Sequence, residues 1–231
     1  MTKSLSRGVI TIVLFFGRCV ALFATDRREL VSISKVDPSI VIGLRYATAQ
    51  NVTGHPLYPS NMPALVRPHV AAQLKRAQEI LSVRGYRLKI WDAYRPRSAQ
   101  EQLWALARNT DYVADPKGGD SLHTCGVAVD ATIVDSNGRE VKMPTDFDAF
   151  TSSAMLRYQG NDPAVRRNLR LLQHAMARAG FYGMRTEWWH FVSKDWKGYV
   201  AIPEVTVVTP AHGPSLPRSD NSANRTPSAV R

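Results

Sequence analysis

One segment of the sequence limits strongly what this chain can fold into. Residues 127–134 form an apolar run that predicts a strand, and a single carboxylate, Asp130, stands inside it between Val129 and Ala131. A buried carboxylate is costly unless a cation or hydrogen bonds stabilise it. The sequence therefore predicts an apolar strand with a compensating group beside Asp130, and a metal ion would supply the charge.

Helical and extended segments are interleaved along the rest of the chain, without a dinucleotide-binding glycine motif, a Walker loop or an internal repeat. This order predicts a single α+β domain with one mainly antiparallel sheet flanked by helices. Pro163 and Gly180 delimit the longest helix, and Ser98 with Glu101 predicts a capping box at the start of another. Predicted helices cover about 70–83, 98–109 and 163–180, and extended segments cover 30–46, 86–91, 127–134 and 188–192.

The two ends of the 231-residue chain differ from its middle. Residues 1–24 carry Lys3 and Arg7 before an apolar run, which is typical of a signal peptide and predicts export, for example to the periplasm. An uncleaved membrane anchor, a misplaced start or an ordinary apolar strand are the alternatives, and without a functional leader the protein would be cytoplasmic. Residues 25–203 form the predicted domain, and the Pro- and Ser-rich residues 204–231 predict a disordered tail.

The net charge of +11, from 30 basic and 19 acidic residues, favours anionic surroundings. Cell-wall polymer, a membrane surface and nucleic acid all satisfy this condition. The basic residues follow no helix-turn-helix, zinc-finger or aromatic RNA-binding pattern, so we expect no nucleic-acid partner. A loose association with an anionic cell wall or membrane surface remains an expectation.

Two segments contain the residues expected to bind a metal ion. Residues 121–130 place His123 on a loop ahead of Asp130, and the later segment 186–191 places Glu187 three residues before His190. The two cysteines, Cys19 and Cys125, are too few for a cysteine-rich site, so the ligands must be histidines and carboxylates. Either pair alone is more often structural, but together they favour a metal site.

Two histidines and one aspartate would leave a zinc ion with one open position, as catalytic zinc sites have. A neighbouring carboxylate that is not a ligand, such as Glu187, can then accept a proton from water. Residues three apart on a strand face opposite sides, so Glu187 must lie at a bend before the strand that contains His190. The remaining histidines have less suitable surroundings in the sequence: His55, His69, His174 and His212.

A third segment, Trp91 to Pro96, places Arg95 at the end of a predicted strand and before a proline. A cation fixed in this way could stabilise a developing oxyanion. The alternatives are a surface ion pair or a pairing with Asp92.

Together these segments resemble the VanX-type D-alanyl-D-alanine dipeptidases, within the wider group of zinc D,D-peptidases that includes D,D-carboxypeptidases. Residues 44–54 resemble the N-terminal signature of the dipeptidases, 91–96 their arginine motif, and 121–130 and 187–190 their two metal motifs. The resemblance covers about residues 40–203. It implies hydrolysis of D-Ala-D-Ala to two D-alanine molecules, at a zinc site in a cleft on the sheet.

The resemblance also implies a role for each matching residue. One Zn²⁺ ion would be bound by His123, Asp130 and His190. Glu187 would act as base and then acid, and Arg95 would stabilise the oxyanion. The small substrate would be held by Tyr46, Ser121 and Asp148, with Asp148 pairing with its ammonium group and Asp146 as the competing carboxylate. A D,D-carboxypeptidase that trims peptidoglycan stem peptides and a non-catalytic zinc-binding module are the alternative functions.

Overall fold

The computed structural model describes residues 29–203, so the predicted leader at 1–24 and the predicted tail at 204–231 lie outside the described residues. No helix in this described part is long and apolar enough to cross a membrane. The strands are β1 (Val31–Ser32), β2 (Val41–Ile42), β3 (Leu65–Val66), β4 (Arg87–Asp92), β5 (Ala128–Val134), β6 (Phe181–Gly183) and β7 (His190–Ser193). The α-helices are α1 (Ile33–Val36), α2 (Pro68–Ser82), α3 (Arg97–Leu106) and α4 (Pro163–Ala179), and short 3-10 turns cover Arg45–Ala47 and Ser152–Ala154.

The main sheet has five strands in the order β2-β4-β5-β7-β6. Only β2 and β4 are parallel, and the other neighbouring strands are antiparallel. β1 and β3 form a separate antiparallel pair. The central strand β5 is buried at every residue, because strands cover both of its edges and side chains cover both faces. The predicted α+β domain with a mainly antiparallel sheet is thus confirmed.

Local sequence determines both ends of helix α4, which packs with α2 against the sheet. The Asp162 carboxylate accepts hydrogen bonds from the backbone N–H groups of Ala164 and Val165, Pro163 occupies the first turn, and Gly180 ends the helix at φ +104°. α4 packs against α2, and these helices contact β4, β5 and β6. The buried stripe of α4 includes Val165, Leu169, Leu172 and Met176.

Three sequence-based predictions of local structure need correction. The capping box was wrong, because α3 begins at Arg97 after Pro96 and has no side-chain cap, which places Ser98 inside the helix. The extended segment 30–46 is interrupted by α1 and by a 3-10 turn. The strand predicted at 188–192 begins two residues later, at His190, because Trp188 and Trp189 form the preceding turn.

Candidate active site

Neighbouring strands bring the three predicted metal ligands together. Asp130 on β5 lies directly opposite His190 on β7. His123 comes from the loop before β5, which turns back at Gly126 with φ +72°, a conformation that glycine adopts readily. The Nε2 atom of His123 lies 3.1 Å from Nδ1 of His190, and Oδ1 of Asp130 lies 2.9 Å from Nδ1 of His190 and 3.5 Å from Nε2 of His123.

These atoms fit the ligand set of a metal ion. Ligands at 2.0–2.1 Å around a tetrahedral ion are separated by about 3.3 Å, close to the three distances observed. The Nδ1 atom of His123 lies 2.9 Å from the carbonyl oxygen of Ala93, which can only accept, so neutral His123 carries its proton there and presents an unprotonated Nε2. One cation can satisfy all three converging groups, and no other group of this kind occurs within residues 29–203.

Burial and neighbouring charges act in opposite directions on Asp130. Burial by itself raises the pKa of its carboxyl group, but when His123 is protonated its charge, together with hydrogen bonds from His123 and His190, lowers that pKa by more. The pKa therefore lies below its ordinary value, and Asp130 stays ionised, as a metal ligand must.

Arg95 is buried beside this group, not exposed on the surface. Its Nε and Nη2 atoms donate to Oδ2 of Asp92 at 3.0 and 2.7 Å, and its Nη2 atom lies 3.8 Å from Oδ2 of Asp130. Burial by itself lowers the pKa of Arg95, but Asp92 and the surrounding phenol and carboxyl groups raise it above its ordinary value. The ion pair with Asp92 is therefore compatible with an electrostatic role for Arg95, because it holds the guanidinium group at the site.

Glu187 lies at the bend that the sequence required. The backbone N–H of His190 donates to the carbonyl oxygen of Glu187 at 3.3 Å, which closes the turn just before β7. The Oε2 atom of Glu187 is 3.9 Å from Nδ1 of His190, close to the converging ligand atoms. Burial, followed by the charges of Asp130 and Asp148, raises the pKa of Glu187 well above its ordinary value, which suits a group that takes up a proton.

Asp148 is held by the N-terminal part of the domain. Tyr46 donates its hydroxyl proton to Oδ1 at 3.2 Å, and the backbone N–H of Val52 donates to Oδ2 at 3.1 Å. Asp148 also has φ +55°, in the left-handed region that aspartate tolerates better than most residues. Burial raises the pKa of Asp148 to about 7. By contrast, the side chain of Asp146 is 82% exposed and lies 3.9 Å from Arg45.

All eight residues singled out from the sequence line one cavity of about 190 Å³. Ser121 completes the set, with its Oγ accepting from the backbone N–H of His123 at 3.3 Å. Ligand pockets for drug-sized molecules usually measure about 300–1,000 Å³, so this cavity suits a smaller ligand. The residues are Tyr46, Arg95, Ser121, His123, Asp130, Asp148, Glu187 and His190.

Two polar neighbours of Arg95 were not predicted from the sequence. Tyr58 donates its hydroxyl proton to Oδ1 of Asp92 at 2.8 Å, and Gln100 accepts from Nη1 of Arg95 at 2.8 Å. Gln100 follows Arg95 by five residues, so a search for polar residues near the arginine could have found it. Tyr58 is 34 residues from Asp92, and nothing local in the sequence indicates their contact.

Replacing Asp148 with asparagine is expected to stabilise the chelator-treated protein at pH 8 but not at pH 4. The folded-state pKa of about 7 lies above the ordinary value of 3.8, so the folded protein binds this proton more tightly than the unfolded chain. The free energy of unfolding of the parent therefore falls by up to about 4 kcal/mol as pH rises from about 4 to about 7. The Asp148→Asn side chain does not titrate, so the variant avoids that loss. Urea unfolding of both proteins at pH 4, 6 and 8 measures the free energy of unfolding.

The exposed Asp146→Asn variant is the matched control and should follow the parent at every pH. A stability difference between Asp148→Asn and the parent that stays constant from pH 4 to pH 8 would contradict the expectation.

Side chains that can bind a metal ion, transfer a proton and stabilise an oxyanion line one cavity, a combination that suits metal-dependent hydrolysis. The chain belongs to the peptidase family M15, described as D-ala-D-ala dipeptidase, which matches residues 26–207.

Curated relatives of similar length carry the same description. The chain is 36% identical to a D-alanyl-D-alanine dipeptidase of Escherichia coli over 167 residues, which cover 72% of this chain and 86% of the relative. It is 30% identical to a D-alanyl-D-alanine dipeptidase of Enterococcus faecium, over 68% of this chain and 89% of that protein. A third, from Enterococcus faecalis, is 30% identical over 64% of this chain and 82% of the relative.

Proposed function

We propose that this protein hydrolyses D-Ala-D-Ala to two molecules of D-alanine, with one zinc ion bound by His123, Asp130 and His190. The observation that carries the proposal is the shared cavity, which brings the three ligand atoms within 3.5 Å of one another beside Glu187 and Arg95. The names of the relatives support the same substrate.

When bound, a zinc ion polarises a carbonyl group and lowers the pKa of a water molecule. Glu187 accepts the proton of the attacking water on its carboxylate and then delivers it to the leaving amine. Its raised pKa favours the protonated form after the first transfer. Arg95 directs its guanidinium toward the cavity, where it stabilises the negative charge that develops on the carbonyl oxygen.

Asp148 supplies the specificity for a free dipeptide. Its buried carboxylate pairs with the substrate ammonium group, while Tyr46 and Ser121 contact the small substrate from other sides of the cavity. A peptide with a blocked amine would leave the carboxylate without its counter-charge in a buried place. This requirement favours a dipeptidase over a D,D-carboxypeptidase, whose substrates extend beyond this position.

Release of D-alanine from D-Ala-D-Ala tests the proposal. The untreated full-length protein should release D-alanine, the chelator-treated protein should not, and added Zn²⁺ should restore release. Protein that binds one equivalent of zinc and leaves D-Ala-D-Ala intact would contradict the proposed reaction and favour a binding module.

The matched substrate pair is D-Ala-D-Ala and its N-acetylated form. The free dipeptide should have a kcat/KM about a hundredfold higher or more, because the acetylated form cannot pair with Asp148. Preferential cleavage of the acetylated peptide would instead indicate a D,D-carboxypeptidase.

We also propose export through residues 1–24, on the basis of Lys3 and Arg7 before the apolar run. In that case the substrate would be D-Ala-D-Ala derived from the cell wall, and the basic surface could associate loosely with anionic polymer or lipid. N-terminal sequencing of protein recovered from a periplasmic fraction tests this, and an intact N-terminus in the cytosol would contradict it.

A further inference from the structure

The orientation of Arg95 depends on more than its ion pair with Asp92. A guanidinium group has five N–H donors, and a carboxylate can hold it firmly by a two-oxygen fork. Here both Nε and Nη2 of Arg95 donate to the same oxygen, Oδ2 of Asp92, while Oδ1 accepts from Tyr58. An ion pair through one carboxylate oxygen stabilises the positive charge of Arg95. It leaves the guanidinium plane free to tilt about that oxygen.

Gln100 supplies a second fixed point. Its Oε1 atom accepts from Nη1 of Arg95 at 2.8 Å, on a side chain that is only 2% exposed. The ring of Tyr46 lies beneath the guanidinium, with the Cζ atom of Arg95 4.9 Å from the ring centroid. Three of the five N–H groups are thus bonded to Asp92 and Gln100, and Nη2 also lies 3.8 Å from Oδ2 of Asp130.

The amide of Gln100 also connects Arg95 to the cavity wall. Its Nε2 atom donates to the carbonyl oxygen of Ala114 at 2.7 Å. Ala114 lies in the loop between α3 and β5, and Val113 and Ala114 both line the cavity. Because one end of the amide only accepts here and the other only donates, the side chain has a single orientation that satisfies both contacts.

We propose that Gln100 is a positioning residue, which sets the tilt of Arg95 and couples it to the 113–114 segment of the cavity wall. The proposal rests on the proposed function, since its consequence is better stabilisation of the oxyanion during D-Ala-D-Ala hydrolysis. Gln100 does not itself need to touch the substrate. Its effect passes through Arg95, so it should disappear when the guanidinium group is absent.

The Gln100→Met variant tests this with little change in side-chain length or packing, and Gln100→Ala is the second variant. Each should lower kcat/KM by about 10- to 100-fold, because small misplacements of a catalytic group have effects of this size. Affinity for a phosphinic analogue of D-Ala-D-Ala, with a tetrahedral phosphorus at the scissile position, should fall by a similar factor. Affinity for the product D-alanine should change less than threefold, about 0.65 kcal/mol.

The matched control is Gln78→Met. Gln78 is a similarly buried glutamine that accepts from the backbone N–H of Leu88 and donates to Ser82, away from the cavity. It should lower stability without changing kcat/KM in the folded protein. A second control places Gln100→Met in an Arg95→Lys background, where it should have less than a twofold further effect.

An NMR measurement separates this inference from the proposed reaction. In protein labelled with ¹⁵N-arginine, the Nη signals of Arg95 should be resolved by slow rotation in the parent and in Gln78→Met, and averaged in Gln100→Met. Inactivity of the parent toward D-Ala-D-Ala would contradict the proposed function but leave this result informative. Unchanged Arg95 signals in Gln100→Met, or an equal loss of kcat/KM in the Arg95→Lys background, would overturn the inference.

Discussion

The Glu187→Gln variant is expected to bind zinc as the parent does and to hydrolyse D-Ala-D-Ala about a hundredfold to ten-thousandfold more slowly. The amide has nearly the same shape as the carboxyl group but cannot take up the proton of the attacking water. The metal should remain, because the converging ligand atoms belong to His123, Asp130 and His190. Steady-state kinetics together with metal analysis of the same sample measure both properties.

An exposed glutamate, Glu79 on α2, provides the control, and Glu79→Gln should retain the activity of the parent. A Glu187→Gln protein as active as the parent would remove the general base from the mechanism. A decrease in zinc content in that variant would show that Glu187 is itself a ligand.

The His190→Ala variant is expected to lose both the zinc ion and the activity. Two ligands would remain, and metal affinity should fall by more than the roughly 10- to 100-fold that loss of a ligand's hydrogen-bonding partner costs. The buried Asp130 carboxylate would also lose its 2.9 Å contact with Nδ1 of His190. Zinc titration with a competing chelator, followed by an assay at saturating zinc, separates weak binding from inactivity.

The exposed His174 on α4 is the matched control, and His174→Ala should bind one equivalent of zinc and remain active. Retention of zinc with parent affinity in His190→Ala would mean that another residue is the third ligand.

The central part of the site could be predicted because local sequence and strand geometry point to the same result. The apolar run around Asp130 predicted the buried strand β5, and side-chain alternation required Glu187 to precede the strand of His190. Both features are present in the structure. The capping box failed because Ser98 and Glu101 match a common short pattern, while the N-cap position is occupied by Pro96, two residues before Ser98.

The partners of Arg95 could not be predicted in the same way. Asp92 is close to Arg95 in sequence, which made their pairing one of the predicted alternatives, but Tyr58 reaches Asp92 only through tertiary packing. The contact between Gln100 and Ala114 likewise depends on how the loop after α3 folds back. The short helix α1 was missed because four residues give too little periodicity to distinguish a helical turn from an extended chain.

The pairing of β4, β5 and β7 places Asp92 opposite Asp130 and Asp130 opposite His190. Because side chains alternate between faces, sliding either strand pair by one residue would turn one of these groups away from the others. A metal ion that binds only the correct alignment therefore adds RT ln(1 + [metal]/Kd) to the stability of that alignment. Removal of the metal ion would then lower the free energy of unfolding of that alignment by the same amount.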